Sequence, residues 1–148
     1  MATVEVTMQK VQRILAAEFN DVMLQEDGFA IEHGSTRVNV EVLDWGKDPD
    51  GNPSSIVQVW APVSREVKPS PDFFRWAAIE GQKFTFGSVK VLEAEDGKEC
   101  FVMFGHTLLG DYLDPAELVT TVALLASTAD DIDDVVHTKF GGKRYTDA

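Results

Sequence analysis

Four aspartates and a histidine lie within the segment 127–142, STADDIDDVVHTKFGG, and their types could bind a divalent metal ion. On a helix, a spacing of four residues brings Asp130 near Asp134 and Asp133 near His137. A structural metal site needs about four ligands in a constrained geometry, however, and one helix face supplies only two or three. We therefore interpret this cluster as a solvated helix face. A regulatory metal-binding domain that uses these four side chains is the alternative.

Nucleophilic catalysis would need a serine, cysteine or threonine beside a base that a third residue orients. Cys100 lies in the apolar run ECFVMFG, which is typical of a small core residue, and His106 follows the same run. The sequence contains no nucleophile elbow, phosphate loop or dinucleotide fingerprint. We therefore predict a protein that is not an enzyme and uses no cofactor. An enzyme centred on Cys100 or His106 is a second alternative.

The net charge of −12, from 25 acidic and 13 basic residues, limits the classes of partner. A nucleic-acid binder needs clustered basic residues to displace counterions from phosphates, and here only Lys143 and Arg144 are adjacent. An anionic membrane would repel the protein, and no apolar run approaches the ~20 residues of a membrane span. We therefore expect a basic or apolar protein partner, no nucleic acid and no membrane. The single cysteine favours a reducing, cytoplasmic location.

The 148 residues fit one domain, with an ordered core over about residues 3–142. Hydrophobic periodicity predicts the order α-β-β-β-α-β-β-α, an α+β fold in which helices pack against a twisted antiparallel sheet of about five strands. The strand IVQVWAPV is expected to end at Pro62, because a central strand loses a hydrogen bond at proline. The apolar run 100–104 is expected to be buried on both faces or to meet a partner. Asp96 and Gly97 favour a two-residue hairpin turn.

The last helix has the clearest signals. Asp114 is a cap, Pro115 occupies the first turn, Glu117 completes a capping box and Gly141 is the stop. Apolar residues then recur in steps of four and three, which predicts one buried stripe made of Leu118, Val122, Leu125, Ala129, Ile132 and Val136.

The short helix in SPDFFRWAAIEGQ is apolar almost all round. Such a helix is either sunk in a core or shared with a second molecule. Two further tryptophans near strand ends are of the type enriched at interfaces. We predict that the partner-binding residues are Trp60, Phe73, Trp76, Ile79 and Trp45. The short helix would then form a homodimer or partner surface, and the competing interpretation places these aromatic residues in the core.

Three stretches resemble the YbjN-like proteins: SIVQVWAPVSREVKPSPDFFRWAA, FTFGSVKV and HTLLGDYLDPAELVTTVALLASTADDIDDVVHTKFGG. The most specific part is LLGDxLDPxEL at 108–118, followed by ADDxDD at 129–134 and FGG at 140–142. YbjN-like proteins belong with the type III secretion chaperones to one peptide-binding chaperone superfamily. The similarity covers about residues 25–142 and is greatest to the actinobacterial members.

The resemblance implies a type III secretion chaperone-like fold and a small acidic chaperone or adaptor, often dimeric, that binds an extended segment of a client. Many such proteins carry the label sensory transduction regulator, and the family has no catalytic motif to transfer. We therefore predict a non-enzymatic, chaperone-like or regulatory adaptor that binds a protein or peptide client. The identity of the client, and the choice between monomer and dimer, stay open at this point.

Overall fold

The computed structural model describes residues 3–34 and 36–145. Its helices are α1 (Thr3–Glu18), α2 (Pro71–Ile79) and α3 (Pro115–Phe140). At the start of α2 the Ser70 hydroxyl accepts a hydrogen bond from the Phe73 N–H, and at the start of α3 the Asp114 carboxylate accepts one from the Glu117 N–H. Gly141 follows α3 with a φ of 73°, a left-handed value that favours glycine. The predicted N-cap and glycine stop of α3 are confirmed.

The strands are β1 (Met23–Leu24), β2 (Gly28–His33), β3 (Thr36–Lys47), β4 (Pro53–Val67), β5 (Ser88–Glu93), β6 (Cys100–Leu109) and β7 (Lys143–Arg144). In the part of the chain that the structure describes, they form one antiparallel sheet of seven strands. The order is β1-β2-β3-β4-β6-β5, and β7 pairs with the C-terminal part of β4. The α+β class is confirmed. Strands β1 and β7 were not predicted, because two residues are too few to show a period.

The central strand β4 continues through Pro62 to Val67, so the prediction that it ends at this proline is wrong. Its register with β6 shifts between Pro62 and Ser64, and again between Ser64 and Val67. Pro62 itself pairs with Met103, and Val63 is the residue left out at the first shift. An irregularity directly beside a proline is the usual setting in which a strand tolerates its missing N–H group. Because β4 continues, its last residues can pair with β7.

All three helices pack on one face of the sheet, where the core lies. The predicted stripe of α3 is confirmed, since its six residues are each at most 2% exposed: Leu118, Val122, Leu125, Ala129, Ile132 and Val136. They form one cluster with Val11 of α1, Val40 of β3, Val59 of β4 and Phe73 of α2. Alternate residues of the strands point to the opposite face. No helix of the described residues is both long and apolar enough to span a membrane.

Strand β6 alternates between buried and accessible residues, although its first five residues are all apolar. Cys100, Val102 and Phe104 are buried against the helices. Phe101 is 43% exposed and Met103 is half-buried on the other face. The first alternative, burial on both faces, is therefore wrong, and the second, contact with a partner through the accessible residues, stays a prediction.

The connection between β5 and β6 spans residues 94–99 and is longer than the predicted two-residue turn. The Gly97 N–H donates to the Ala94 carbonyl at 2.9 Å, so Asp96 and Gly97 are the last two residues of a four-residue turn. Gly97 has a φ of 68°, which explains the glycine. The Asp96 carboxylate accepts the Lys98 N–H at 2.9 Å and adds a second local constraint.

The segment LLGD, residues 108–111, links the end of β6 to the start of β4 through hydrogen bonds. The Asp111 carboxylate accepts hydrogen bonds from Ser54 Oγ (2.9 Å), Ser55 N (3.0 Å) and Ser55 Oγ (3.2 Å). Burial alone would raise the pKa of Asp111, but these hydrogen bonds and the charge of Lys10 outweigh burial and lower it. A Cβ atom on Gly110 would collide with Ser55 Oγ, so glycine permits the close approach. The Gly110–Asp111 part of this segment is therefore an anchor of the fold.

Candidate functional site

We use the term open face for the side of the sheet turned away from the three helices. Residues directly paired across antiparallel strands point to the same face, so the register identifies the members of the open face. Trp60 of β4 lies opposite Asn39 of β3 and Gly105 of β6, and Leu92 of β5 lies opposite Phe101 of β6. Across β4, β5 and β6, the open face includes Gln58, Trp60, Pro62, Lys90, Leu92, Phe101, Met103, Gly105 and Thr107.

A groove of about 290 Å³ crosses the open face beside Trp60. Gly105 forms its floor, since a Cβ atom there would lie 3.3 Å from Trp60 Cβ and 3.6 Å from Lys90 Cε. Glu41 and Lys90 place one charge of each sign along the groove, and Leu92 adds apolar surface. The groove thus offers an indole ring and aliphatic side chains with polar groups at the rim.

A second groove of about 260 Å³ continues toward the C-terminal end of β4. Its side chains are mainly apolar and include Trp60, Pro62, Leu92, Phe101, Met103 and Tyr145. Leu92 is 52% exposed and Phe101 is 43% exposed. Contiguous exposed apolar side chains mark interaction surfaces in soluble proteins. Trp60, Leu92 and Met103 line both grooves, and Trp60 has the largest side chain of the three. We therefore take Trp60 as the centre of the candidate site.

The predicted binding residues Phe73, Trp76 and Ile79 belong to α2 and lie in the helix layer. They are therefore separated from Trp60, which lies on the open face. Phe73 is fully buried, and its ring centroid is 5.3 Å from that of Phe140 at the end of α3. Phe73 therefore belongs to the core and is not accessible to a partner, which corrects its predicted role. Trp76 is half-buried, with its ring stacked near Phe73 at 6.5 Å, and Ile79 is 42% exposed.

Trp45 is 63% exposed near the end of β3, where the register with β4 shifts between Asp44 and Gly46. Asn39, the strand partner of Trp60, lies six positions earlier on β3. At ~3.4 Å per residue this separation is roughly 20 Å. The structure therefore does not bring Trp45, Trp60 and the α2 residues into one continuous site.

Three of the four aspartates of α3 contact other side chains of the chain. Arg144 Nη1 lies 3.0 Å from Asp133 Oδ2 and 2.6 Å from Asp134 Oδ1. The Thr36 hydroxyl donates to Asp130 Oδ1 at 2.6 Å. Among the described residues, no group of three or more His, Cys, Asp or Glu side chains has an arrangement that could hold a metal ion. The metal-binding alternative thus gains no support from the structure.

The two sides of the Arg144 ion pair differ in their electrostatics. The hydrogen bond to Asp134 and the charge of Asp133 raise the pKa of Arg144, so the guanidinium stays charged. Burial raises the pKa of Asp133 by more than Arg144 lowers it, and the charge of Asp134 adds to the increase. Pairing favours the charged form of both groups, but burial acts more strongly on Asp133, whose side chain is 17% exposed against 34% for Arg144. Ionised Asp133 is therefore the costly member, and Arg144 offsets part of its desolvation.

Cys100 has the surroundings of an unreactive thiol. It is fully buried, and burial raises the pKa of the thiol, as does the charge of Glu93 to a smaller extent. The thiolate is the nucleophilic form, so a raised pKa makes Cys100 less reactive at neutral pH. The His106 ring contacts the edge of Phe86 at a centroid distance of 6.0 Å, and His106 pairs with Val59 across the sheet. Neither residue shows the arrangement of an activated nucleophile and base.

The family of the chain follows from a comparison of its whole length. The family model described as TY-Chap1, "T3SS (YopN, CesT) and YbjN peptide-binding chaperone 1", matches residues 5–148. The chain belongs to this family. The match confirms the resemblance that the LLGDxLDPxEL pattern carried, and it makes the protein a peptide-binding chaperone-type domain. A search of curated proteins found no match.

Of the open-face residues of this TY-Chap1 chain, the sequence prediction names only Trp60. The sequence shows Phe101 and Met103 only as part of an apolar run. Alternation within that run is the available signal. The register between β6 and β4 decides which of its residues lie beside Trp60, and that register cannot be read from the sequence. The sequence indicates Arg144 only as one of four basic or titratable residues that could offset the aspartate charge, with His137, Lys139 and Lys143. The turn at 141–142 that brings Arg144 to Asp133 and Asp134 leaves no periodic pattern.

Proposed function

We propose that this chaperone binds an extended, partly apolar segment of a client protein on the open face, with Trp60 as the central contact. The observation that supports this most directly is the pair of adjoining grooves that share Trp60. Chaperone-type peptide binding is the property of the family, and the open face offers the accessible apolar surface such binding needs. The core face is filled by helices and is not accessible without unfolding.

The acidic surface of the protein favours clients with basic residues near the bound segment. The net charge of −12 would speed the approach of such a client and keep the complex soluble. Glu41 beside the Trp60 groove is a local acceptor for a basic side chain. We further propose a non-enzymatic adaptor role in the cytoplasm. The predicted homodimer through the short helix α2 stays a prediction that light scattering on the purified protein can test.

Selection of random 12-residue peptides by phage display on the full-length protein tests the proposal. Peptides that bind the wild type should lose affinity by about 30-fold or more on Trp60→Ala, since truncating a central aromatic contact costs about 2 kcal/mol or more. Tyr112→Ala is the matched control, because Tyr112 is a 78% exposed aromatic residue outside both grooves. This variant should keep wild-type affinity.

The proposal fails if the selected peptides bind Trp60→Ala as tightly as the wild type while circular dichroism shows both proteins folded. Loss of affinity on Trp76→Ala in place of Trp60→Ala would move the site to α2. Failure to select any peptide at micromolar affinity would also count against the open face as a peptide site.

A further inference from the structure

Strand β7, near the end of the described residues, pairs with β4 of the chaperone's own sheet. Gly141 and Gly142, with φ values of 73° and 79°, reverse the chain after α3. Arg144 then pairs with Ser64, and Lys143 pairs with Arg65 on β4. A Cβ atom on Gly142 would lie 2.8 Å from the Arg65 carbonyl oxygen, which shows how closely the segment approaches β4. The segment therefore occupies a strand-pairing position of the kind an added peptide strand uses.

Acidic side chains hold both basic residues of this segment. Arg144 lies against Asp133 and Asp134, and Lys143 Nζ is 3.3 Å from Glu66 Oε2. A protein with 25 acidic and 13 basic residues has a strongly negative field, and this position concentrates it on a guanidinium. The surroundings of β7 are thus complementary to a basic strand.

Tyr145 follows the basic pair and places an aromatic ring at the border of the open face. It lines the apolar groove together with Trp60 and Phe101. It also lines a cleft of about 300 Å³ between α3 and the sheet, in which the aspartate partners of Arg144 lie. Residues 143–145 therefore combine strand pairing, two basic side chains and one aromatic ring at the end of the site.

We propose that residues 143–145 are a built-in ligand of the chaperone, and that a client segment with a basic residue followed by an aromatic residue competes for the same position. This inference rests on the proposed function, because it gives the chemistry of a client for that site. The built-in segment is exchangeable, since only two of its residues pair with β4. Its ion pairs are also partly exposed, with the Asp134 side chain 68% accessible, and exposed pairs contribute little.

The experiment uses full-length ¹⁵N-labelled protein and the peptide GGKRYTDA, which has the sequence of residues 141–148. In the variant Arg144→Ser/Tyr145→Ser, the built-in segment loses its guanidinium and its ring. Titration of the peptide should shift the amide signals of Ser64 and Arg65 in this variant. The Kd should be at least ~10-fold lower than for the wild type, whose own segment competes at an effective concentration in the millimolar range.

The matched control peptide is GGKSSTDA, which keeps the length and lacks the arginine and the tyrosine. It should leave the signals of the variant unshifted. Adding Asp133→Asn/Asp134→Asn to the variant should weaken GGKRYTDA by ~10-fold or more, because the acceptors of the guanidinium are lost. Equal affinity of the wild type and the variant for GGKRYTDA, or equal affinity of the variant for both peptides, overturns the inference. So does the absence of shifts in a variant that circular dichroism shows to be folded.

Failure of this inference differs from failure of the proposed function. Displayed peptides that need Trp60, but do not compete with GGKRYTDA on the variant, overturn the built-in ligand and leave the open face as a peptide site. Binding of GGKRYTDA at Ser64 and Arg65, with no displayed peptide that depends on Trp60, overturns the proposed function and with it the client half of this inference.

Discussion

Replacing Asp111 with asparagine removes the negative charge of a carboxylate that links the end of β6 to the start of β4 through hydrogen bonds. The carboxylate accepts three hydrogen bonds at 2.9, 3.0 and 3.2 Å from Ser54 and Ser55, and Ser55 is fully buried. Hydrogen bonds to a charged group contribute about 1.5–3 kcal/mol each, and they are not additive. Asparagine retains one acceptor oxygen and presents an NH₂ group at the other position. We therefore expect Asp111→Asn to lower the free energy of unfolding at pH 7 by about 2–3 kcal/mol.

Urea unfolding followed by tryptophan fluorescence and circular dichroism measures this change. In a chain of this size, a loss of 2–3 kcal/mol corresponds to a melting temperature about 5–10 °C lower. Asp131→Asn on α3 is the matched control, since Asp131 is exposed and undergoes the same chemical change. The control should alter the free energy of unfolding by less than about 0.5 kcal/mol.

The pH dependence gives an independent check of the same contact. The pKa of Asp111 is lowered in the folded protein, so its contribution is present above the unfolded pKa of ~3.9 and is lost as pH falls through the lower folded value. The difference between the wild type and Asp111→Asn should therefore shrink steadily from about pH 5 downward. A difference that stays constant to pH 3, or a loss below about 0.5 kcal/mol at pH 7, would refute the reasoning.

Two further predictions concern residues that sequence reasoning placed at a surface or an active site. Phe73→Ala should destabilise the protein by about 3–5 kcal/mol in urea unfolding, because the ring is fully buried, whereas Ile79→Ala should cost less than about 1 kcal/mol; equal losses would contradict the assignment of Phe73 to the core. Cys100 should react with a thiol reagent at least ~100-fold more slowly in the native protein than in denaturant, since the buried thiol must first become accessible. Fast labelling of the native protein would return Cys100 to the list of candidate nucleophiles.

Local signals in the sequence were sufficient for the helices. The caps at Ser70 and Asp114 use contacts within four residues, and the α3 stripe follows from the helical period alone. Both are properties of a short window, so they can be predicted without the partner elements. The α+β class followed from the same local signals taken in order, and the family resemblance supplied the chaperone function.

The candidate site depended on information that no short window contains. Trp60 joins Met103 and Leu92 because β4 pairs with β6 and β6 with β5 in one register, and a shift of one residue would turn Met103 toward the core. Phe73 was assigned to a surface because a helix apolar on all sides does not reveal which side meets the core. Its packing against Phe140 depends on where α3 ends, which joins two parts of the chain 67 residues apart.

The position of α3 in the chain affects how the protein is synthesised. The long strands all precede α3 in the chain, yet the apolar stripe of α3 covers much of their inward face. Ribosomes add about 5–20 residues per second, so the 26 residues of α3 need about 1–5 s to be translated. During this interval, and until the helix leaves the exit tunnel, the inward-facing valines of β3 and β4 have no permanent cover. The nascent chain therefore exposes the apolar face of its sheet until α3 has emerged, which makes α3 the element that closes the core.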